Sequence, residues 1–268
     1  MTQSLSPSAH EMTTKEGIVK NWLPRYTGTP LSEFGEYILL TNFSNYVDEF
    51  AKRFQVPVRG TDRPMQTATN ANGLTIINFG IGSSNAATIM DLLLAIRPKG
   101  VLFLGKCGGV KTSMEIGHFI LPTAAIRGEG TSNDYMAPEV PALPSFKLHK
   151  FVSEKIVAAN LDYRTGVVWT TNRRVWEYDA DFKNRLTDSR VIGVDMETAT
   201  LFAVGLVNEI ARGALLLVSD VPMTPEGVKT EASDRKVTRD FLTLHLEIGI
   251  QAMTEIGAKG EKIKHFRY

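Results

Sequence analysis

Two acidic residues stand where an α/β protein would put carboxylates to chemical use. Glu197 lies in Val194-Asp195-Met196-Glu197-Thr198-Ala199-Thr200, which reads as a strand-to-helix boundary, and Asp220 closes the apolar run Leu215-Leu216-Leu217-Val218-Ser219-Asp220. An ionised carboxylate is a stronger hydrogen-bond acceptor than a neutral group, so Glu197 suits a pair of vicinal hydroxyls such as those of a ribose, and Met196 offers a soft surface beneath a sugar. Asp195 and Glu197 equally suit the start of a helix, where the macrodipole favours negative charge. In an open parallel sheet, ligands collect beyond the carboxyl ends of strands. Asp220 there is placed to share a proton with a purine N7, which becomes basic as a glycosidic bond breaks. The plainer reading of Ser219-Asp220 is a turn at a strand end.

Two glycine-rich segments accompany the carboxylates. Phe79-Gly80-Ile81-Gly82-Ser83-Ser84-Asn85 joins a strand to a helix, and backbone amides at such a junction favour an anion or a sugar hydroxyl. Glycine also serves such turns for steric reasons alone, and the third glycine of a dinucleotide-binding fingerprint is missing. Leu104-Gly105-Lys106-Cys107-Gly108-Gly109-Val110 follows the run Val101 to Leu104 as a turn. Its glycines invite close approach by a ligand, and Lys106 is either a compact positive charge for a phosphate or a solvated lysine. Cys107 reads as a packing residue, because no activating base stands near it in sequence.

Short apolar runs alternate with longer helical patterns and would position these residues. The runs at 37–43, 74–79, 101–104, 119–126, 166–170 and 215–218 are apolar on both faces, as strands covered on each side by helices must be. The stretches 45–54, 84–96, 148–159, 197–210 and 235–256 carry helical spacing. Order and period together predict an α/β protein with a single domain over 21–268, built on a mostly parallel, mixed central sheet flanked by helices. Residues 1–20, polar and without sustained period, read as an N-terminal arm. The segment 128–146 is rich in Pro, Gly, Asn and Ser and reads as a long loop, either a binding lid or a disordered excursion.

Composition excludes several alternatives. With 30 basic against 29 acidic residues the chain has no excess charge to attract nucleic acid, and no apolar stretch approaches the roughly 18 residues of a membrane span. A lone cysteine cannot form an intrachain disulfide, and the first residues lack the pattern of a secretory signal, so a cytoplasmic location is expected. His10, His118, His149, His245 and His265 are never at ligand spacing, which implies no metal, and no organic cofactor is suggested.

The order and spacing of the four motifs resemble those of the nucleoside phosphorylase and nucleosidase family. Within it, Asn21-Trp22-Leu23-Pro24-Arg25-Tyr26-Thr27-Gly28, Leu40-Thr41-Asn42-Phe43, Thr170-Thr171-Asn172-Arg173-Arg174-Val175-Trp176 and Pro225-Glu226-Gly227-Val228-Lys229-Thr230 are similar to the AMP nucleosidase branch. The resemblance implies that Glu197 and Met196 hold the ribose and that Asp220 is the acid at N7. It also implies that Gly82, Lys106 and Gly108 lie near the phosphate or the nucleophile, with Asp195 and Ser219 flanking the two carboxylates. Trp169, Arg173 and Trp176 are expected against the base or the 5′-phosphate, for which Arg25, Arg127 and Arg174 are further candidates.

The resemblance further implies a small-molecule substrate, AMP, and a homo-oligomer, a dimer or dimers grouped into a hexamer. The phosphorolytic relatives carry an Arg two residues before the glycine-rich turn and a Ser within it; here Phe103 and Lys106 stand instead. Water is therefore the expected nucleophile. Longer AMP nucleosidases carry a further amino-terminal domain associated with nucleotide regulation, which has no counterpart in this sequence. The alternatives are a purine nucleoside phosphorylase, a nucleosidase acting on unphosphorylated nucleosides, and a catalytically silent nucleotide-binding module.

Overall fold

The computed structural model describes residues 13–224 and 227–259. His10, His265, Pro225, Glu226 and most of the expected N-terminal arm lie outside them.

Runs of β-branched and aliphatic residues form the centre of the sheet. β1 (Tyr37–Thr41), β3 (Leu74–Asn78), β4 (Gly100–Gly109) and β8 (Arg212–Asp220) lie side by side in parallel, in the order β3-β1-β4-β8. Every residue of β4 and β8 is buried, which explains the apolar runs Val101 to Leu104 and Leu215 to Val218 at their centres. β2 (Gln66–Thr69) adds an antiparallel edge to β3. On the other side β5 (Phe119–Gly128) pairs antiparallel with β8, β6 (Tyr163–Thr171) parallel with β5, and β7 (Gly193–Asp195) parallel with β6. β7 then meets β4 antiparallel, so β4, β7, β6, β5 and β8 close into a ring. The sheet is mixed and mostly parallel, as expected.

Helices cover both faces. α3 (Ser83–Leu92) and α6 (Thr198–Val207) pack with Ile38, Leu40, Phe79 and Phe103 on one side. α2 (Ser44–Phe54), α4 (Phe146–Ala158) and α7 (Glu231–Lys259) pack with Leu39, Leu102, Leu104 and Leu217 on the other. Between them the buried His245 of α7 faces the Leu215 carbonyl of β8 at 2.9 Å and the Tyr46 hydroxyl of α2 at 2.8 Å. Both ring nitrogens are thus satisfied without a charge.

Four features differ from expectation. α1 (Lys15–Thr27) runs across the expected boundary between residues 20 and 21, because Thr14 caps it and Val19 and Leu23 bury one face. α5 (Ala180–Asp188) had no expected counterpart. The expected turn after Leu104 is instead the continuation of β4. Its glycines serve packing: a Cβ at Gly105 would stand 2.4 Å from the Phe103 ring, and one at Gly108 2.9 Å from Pro222. Finally, the segment 128–146 is held in place rather than swinging free. Arg127 donates to the carbonyls of Met136, Ala137 and Val140 and to Ser132 and Asn133, while Glu129 accepts from Gly130, Ser132 and Thr200. Arg127 therefore spends its donors on this loop, which corrects its candidacy for a phosphate.

Among the described residues, no helix is long and apolar enough to cross a membrane.

Candidate active site

The carboxyl ends of β1, β4, β6, β7 and β8 open onto one cavity of about 240 Å³. Asn42 and Phe43 enter it after β1, Lys106, Cys107 and Gly108 from β4, Thr171 from β6, Asp195 from β7, and Ser219 and Asp220 from β8. Met196 and Glu197 reach it from the connection between β7 and α6. In β4, a register shift at Cys107 and Gly108 sets Gly108 opposite Asp220 and thereby aims the last residue of β8 into the opening.

The two neighbouring carboxylates Asp195 and Glu197 divide the readings left open above. Asp195 accepts the Thr170 hydroxyl at 2.6 Å, the Thr198 amide at 2.7 Å and the Glu197 amide at 3.3 Å, together with the Thr198 hydroxyl. It therefore serves the start of α6, and its acceptor capacity is spent. Glu197 instead crosses the cavity wall to the glycine turn, where Oε1 accepts the Gly82 amide at 2.7 Å. Gly82 has φ +98°, a left-handed conformation that glycine adopts without strain and that turns its N–H toward Glu197. The amide of Gly82 thus acts through Glu197, while Gly82 itself does not line the cavity. Burial lifts the Glu197 carboxyl well above the ordinary glutamate range, and the nearby Asp195 carboxylate adds to the rise; burial raises Asp195 as well.

Asp220 is buried, with Oδ1 accepting the Ser219 hydroxyl at 2.7 Å; that hydroxyl also faces the Cys107 carbonyl at 3.3 Å. Lys229 Nζ lies 3.6 Å from Asp220 Oδ1 and 3.6 Å from Asp234 Oδ1. Lys106 Nζ is 3.1 Å from Asp234 Oδ1, donates to the Thr238 hydroxyl at 2.9 Å and sits 4.5 Å from the centre of the Phe43 ring. Its burial lowers the ammonium pKa, an effect the Asp234 carboxylate opposes. Burial pushes the Cys107 thiol well up, so it contributes wall rather than nucleophile.

Of the residues expected at the site, Asp220, Glu197, Met196, Asp195, Ser219, Lys106, Gly108 and Trp176 line this cavity. Arg25 and Arg173 do not. Arg25 is exposed on α1 over the Trp22 ring, and Arg173 is paired with Asp179 at 2.7 Å and lies over the Phe182 ring. Arg174 lines the cavity, paired with Glu177. Trp169 packs edge-on against Phe182 in the core beside α5. No residue of 128–146 reaches the cavity. Lys229 and Asp234 were missed as site residues, although Lys229 stood in a segment singled out for its resemblance. Asn42, also in such a segment, places its side chain in hydrogen-bond contact with Glu197, and its Oδ1 is buried without a partner among the described residues.

The structure thus gathers one carboxylate gripped by a glycine turn and another at the tip of a central strand around a single cavity, the first of these contacts being absent from the expectations drawn from sequence. A sequence profile described as the phosphorylase superfamily matches residues 36–253. The chain belongs to that superfamily. Among its relatives, the AMP nucleosidase of Escherichia coli K12 is 30% identical over 287 residues, which cover 90% of this superfamily member but 59% of the relative. The chain therefore spans less than two thirds of that protein's length. A crystal structure of AMP nucleosidase from Bacteroides thetaiotaomicron VPI-5482 is similar with a TM-score of 0.83 and 51% identity, covering 93% of this chain and 100% of that one. A uridine phosphorylase from Vibrio fischeri ES114 shares the fold, with a TM-score of 0.75, 21% identity and coverage of 84% and 93%.

Proposed function

We propose that this superfamily member hydrolyses the N-glycosidic bond of AMP, releasing adenine and ribose 5-phosphate. The observation that carries the reading is the meeting of Glu197 and Asp220, brought from different strands, in one cavity. Cleavage of this bond develops positive charge on the sugar and negative charge on the departing base, so an enzyme must stabilise both. Glu197 faces the ribose hydroxyls and, once ionised, steadies the ribosyl cation. Asp220 shares its proton with N7 as the base leaves, a step worth about 10²- to 10⁴-fold in rate. The unpartnered Asn42 Oδ1 supplies an acceptor beside Glu197, and Met196 and Trp176 provide apolar wall.

Water is the nucleophile in this reading. Where the phosphorolytic relatives carry an arginine, Phe103 is fully buried and packs against Phe79 with ring centres 5.7 Å apart, so this position supplies no cation. The likeness to two AMP nucleosidases supports the choice of nucleotide. We also place the protein in the cytoplasm and read it as a homo-oligomer, the assembly being testable by light scattering on the purified protein.

The deciding experiment incubates the purified protein with AMP, adenosine, IMP and GMP, with and without inorganic phosphate. Adenine and ribose 5-phosphate formed from AMP without added phosphate support the reading. Ribose 1-phosphate formed only with added phosphate would make it a phosphorylase, equal cleavage of adenosine a plain nucleosidase, and binding without base release a silent nucleotide-binding module.

A further inference from the structure

Two ammonium groups in the cavity close on a single carboxylate oxygen. Lys106 Nζ from β4 and Lys229 Nζ from the segment after β8 lie 3.1 Å and 3.6 Å from Asp234 Oδ1, which belongs to the first turn of α7. The three side chains differ in freedom. Lys106 is 3% exposed and fixed by Thr238 and the Phe43 ring, and Lys229 is 20% exposed. Asp234 is 40% exposed. Lys229 also lies 3.6 Å from Asp220 Oδ1, but a buried ammonium is unfavourable without a counter-charge and Lys106 is held to Asp234, so an anion is needed at this point. A carboxylate on an exposed helical turn, in contrast, regains full hydration by a rotamer change.

The anion need not be Asp234. Two cationic donors aimed at one oxygen are equally arranged for an oxygen of a phosphate, and two of the other candidate cations are used elsewhere, Arg127 in its loop and Arg173 on Asp179. We propose that Lys106 and Lys229 form a binding subsite for an oxyanion of the phosphate class, which Asp234 fills in the free protein as a tethered competitor. A phosphate entering the subsite displaces the carboxylate to solvent, whereas a neutral ligand has nothing with which to displace it. The inference rests on the AMP reading for its choice of ligand; the phosphate arrives either on a sugar or as the free ion.

The test titrates the full-length protein calorimetrically with ribose 5-phosphate and, separately, with inorganic phosphate. Asp234→Asn and Asp234→Ser remove the competing charge at a partly exposed position, and a thermal melt reports that they fold. Both are expected to bind at least one ligand about tenfold tighter than the wild type, and Lys229→Met about tenfold or more weaker. Tightening for ribose 5-phosphate alone assigns the subsite to a sugar phosphate, and tightening for both ligands admits the free ion; either supports the proposal. Unchanged or weaker binding of both ligands in both Asp234 variants overturns it, as does undiminished binding in Lys229→Met or no binding to the wild type and the Asp234 variants. Adenine release from AMP is measured on the same wild-type preparation. Its failure would remove the hydrolase reading while leaving the subsite to stand or fall by the titrations.

Discussion

Replacing Asp220 by Asn isolates the acid step with little change in shape. The amide oxygen still accepts the Ser219 hydroxyl, which now stands 2.7 Å from Oδ1. What changes in the ground state is the Lys229 contact at 3.6 Å, between side chains 20% and 10% exposed, in which an amide replaces the carboxyl group. Loss of such a partly screened pair costs about 1 kcal/mol, a fall of about 2–4 °C in melting temperature for a chain of this size. The transition state loses far more, because an amide cannot give N7 a proton. A positioned acid contributes about 10²- to 10⁴-fold, or about 2.7–5.4 kcal/mol at about 1.36 kcal/mol per tenfold. Adenine release from saturating AMP, followed by chromatography, should therefore fall at least about 10²-fold in kcat with KM nearly unchanged. A kcat within about threefold of wild type, in a protein that melts normally, would refute the assignment of Asp220 to the departing base.

Further outcomes follow from the same geometry. Because burial and Asp195 raise the Glu197 carboxyl, and the ionised form is the better acceptor for ribose hydroxyls, KM for AMP should fall as pH rises through neutrality. Glu197→Gln should flatten that profile and raise KM; a profile that stays as steep in the variant would show that another group sets it. His149 and His245 are held neutral by burial, at about 3 and about 4 against an ordinary 6.5, so the unfolded chain takes up protons that the folded one refuses. Their contribution to stability is complete above about 6.5 and is lost as pH falls, at about 1.36 kcal/mol per pH unit for each histidine until its own folded value is reached. Denaturant melts of wild type and His149→Gln between about pH 6 and about pH 4.5 should differ in slope by that amount, and equal slopes would contradict a neutral His149. Arg127→Met leaves the carbonyls of Met136, Ala137 and Val140 without their donor, at a cost of about 2–4 kcal/mol. Limited proteolysis should then cut within 128–146 first, and wild-type resistance there would deny Arg127 its tethering role.

The sequence by itself determined the class of fold and pointed to the two carboxylates of the proposed site. Apolar runs without alternation could only be strands buried on both faces, and the helical stretches between them forced a mostly parallel sheet. Glu197 and Asp220 were legible because each stands at or just beyond the carboxyl end of a strand, and strand ends in such a sheet face one crevice. Elements with weak local signals were not legible: β7 has three residues, and α5 and α1 bury only a few side chains each. Only the tertiary structure decided which cations serve the cavity. Arg25 and Arg173 carried the same charge in sequence as Lys106 and Lys229, yet the first is spent over Trp22 and the second on Asp179, while the lysines meet Asp234. Lys106 and Asp234 are 128 residues apart along the chain. A backbone turn or an apolar period is fixed by neighbours a few residues away, but the partner of a long charged side chain is fixed by whatever the closed ring of strands brings beside it.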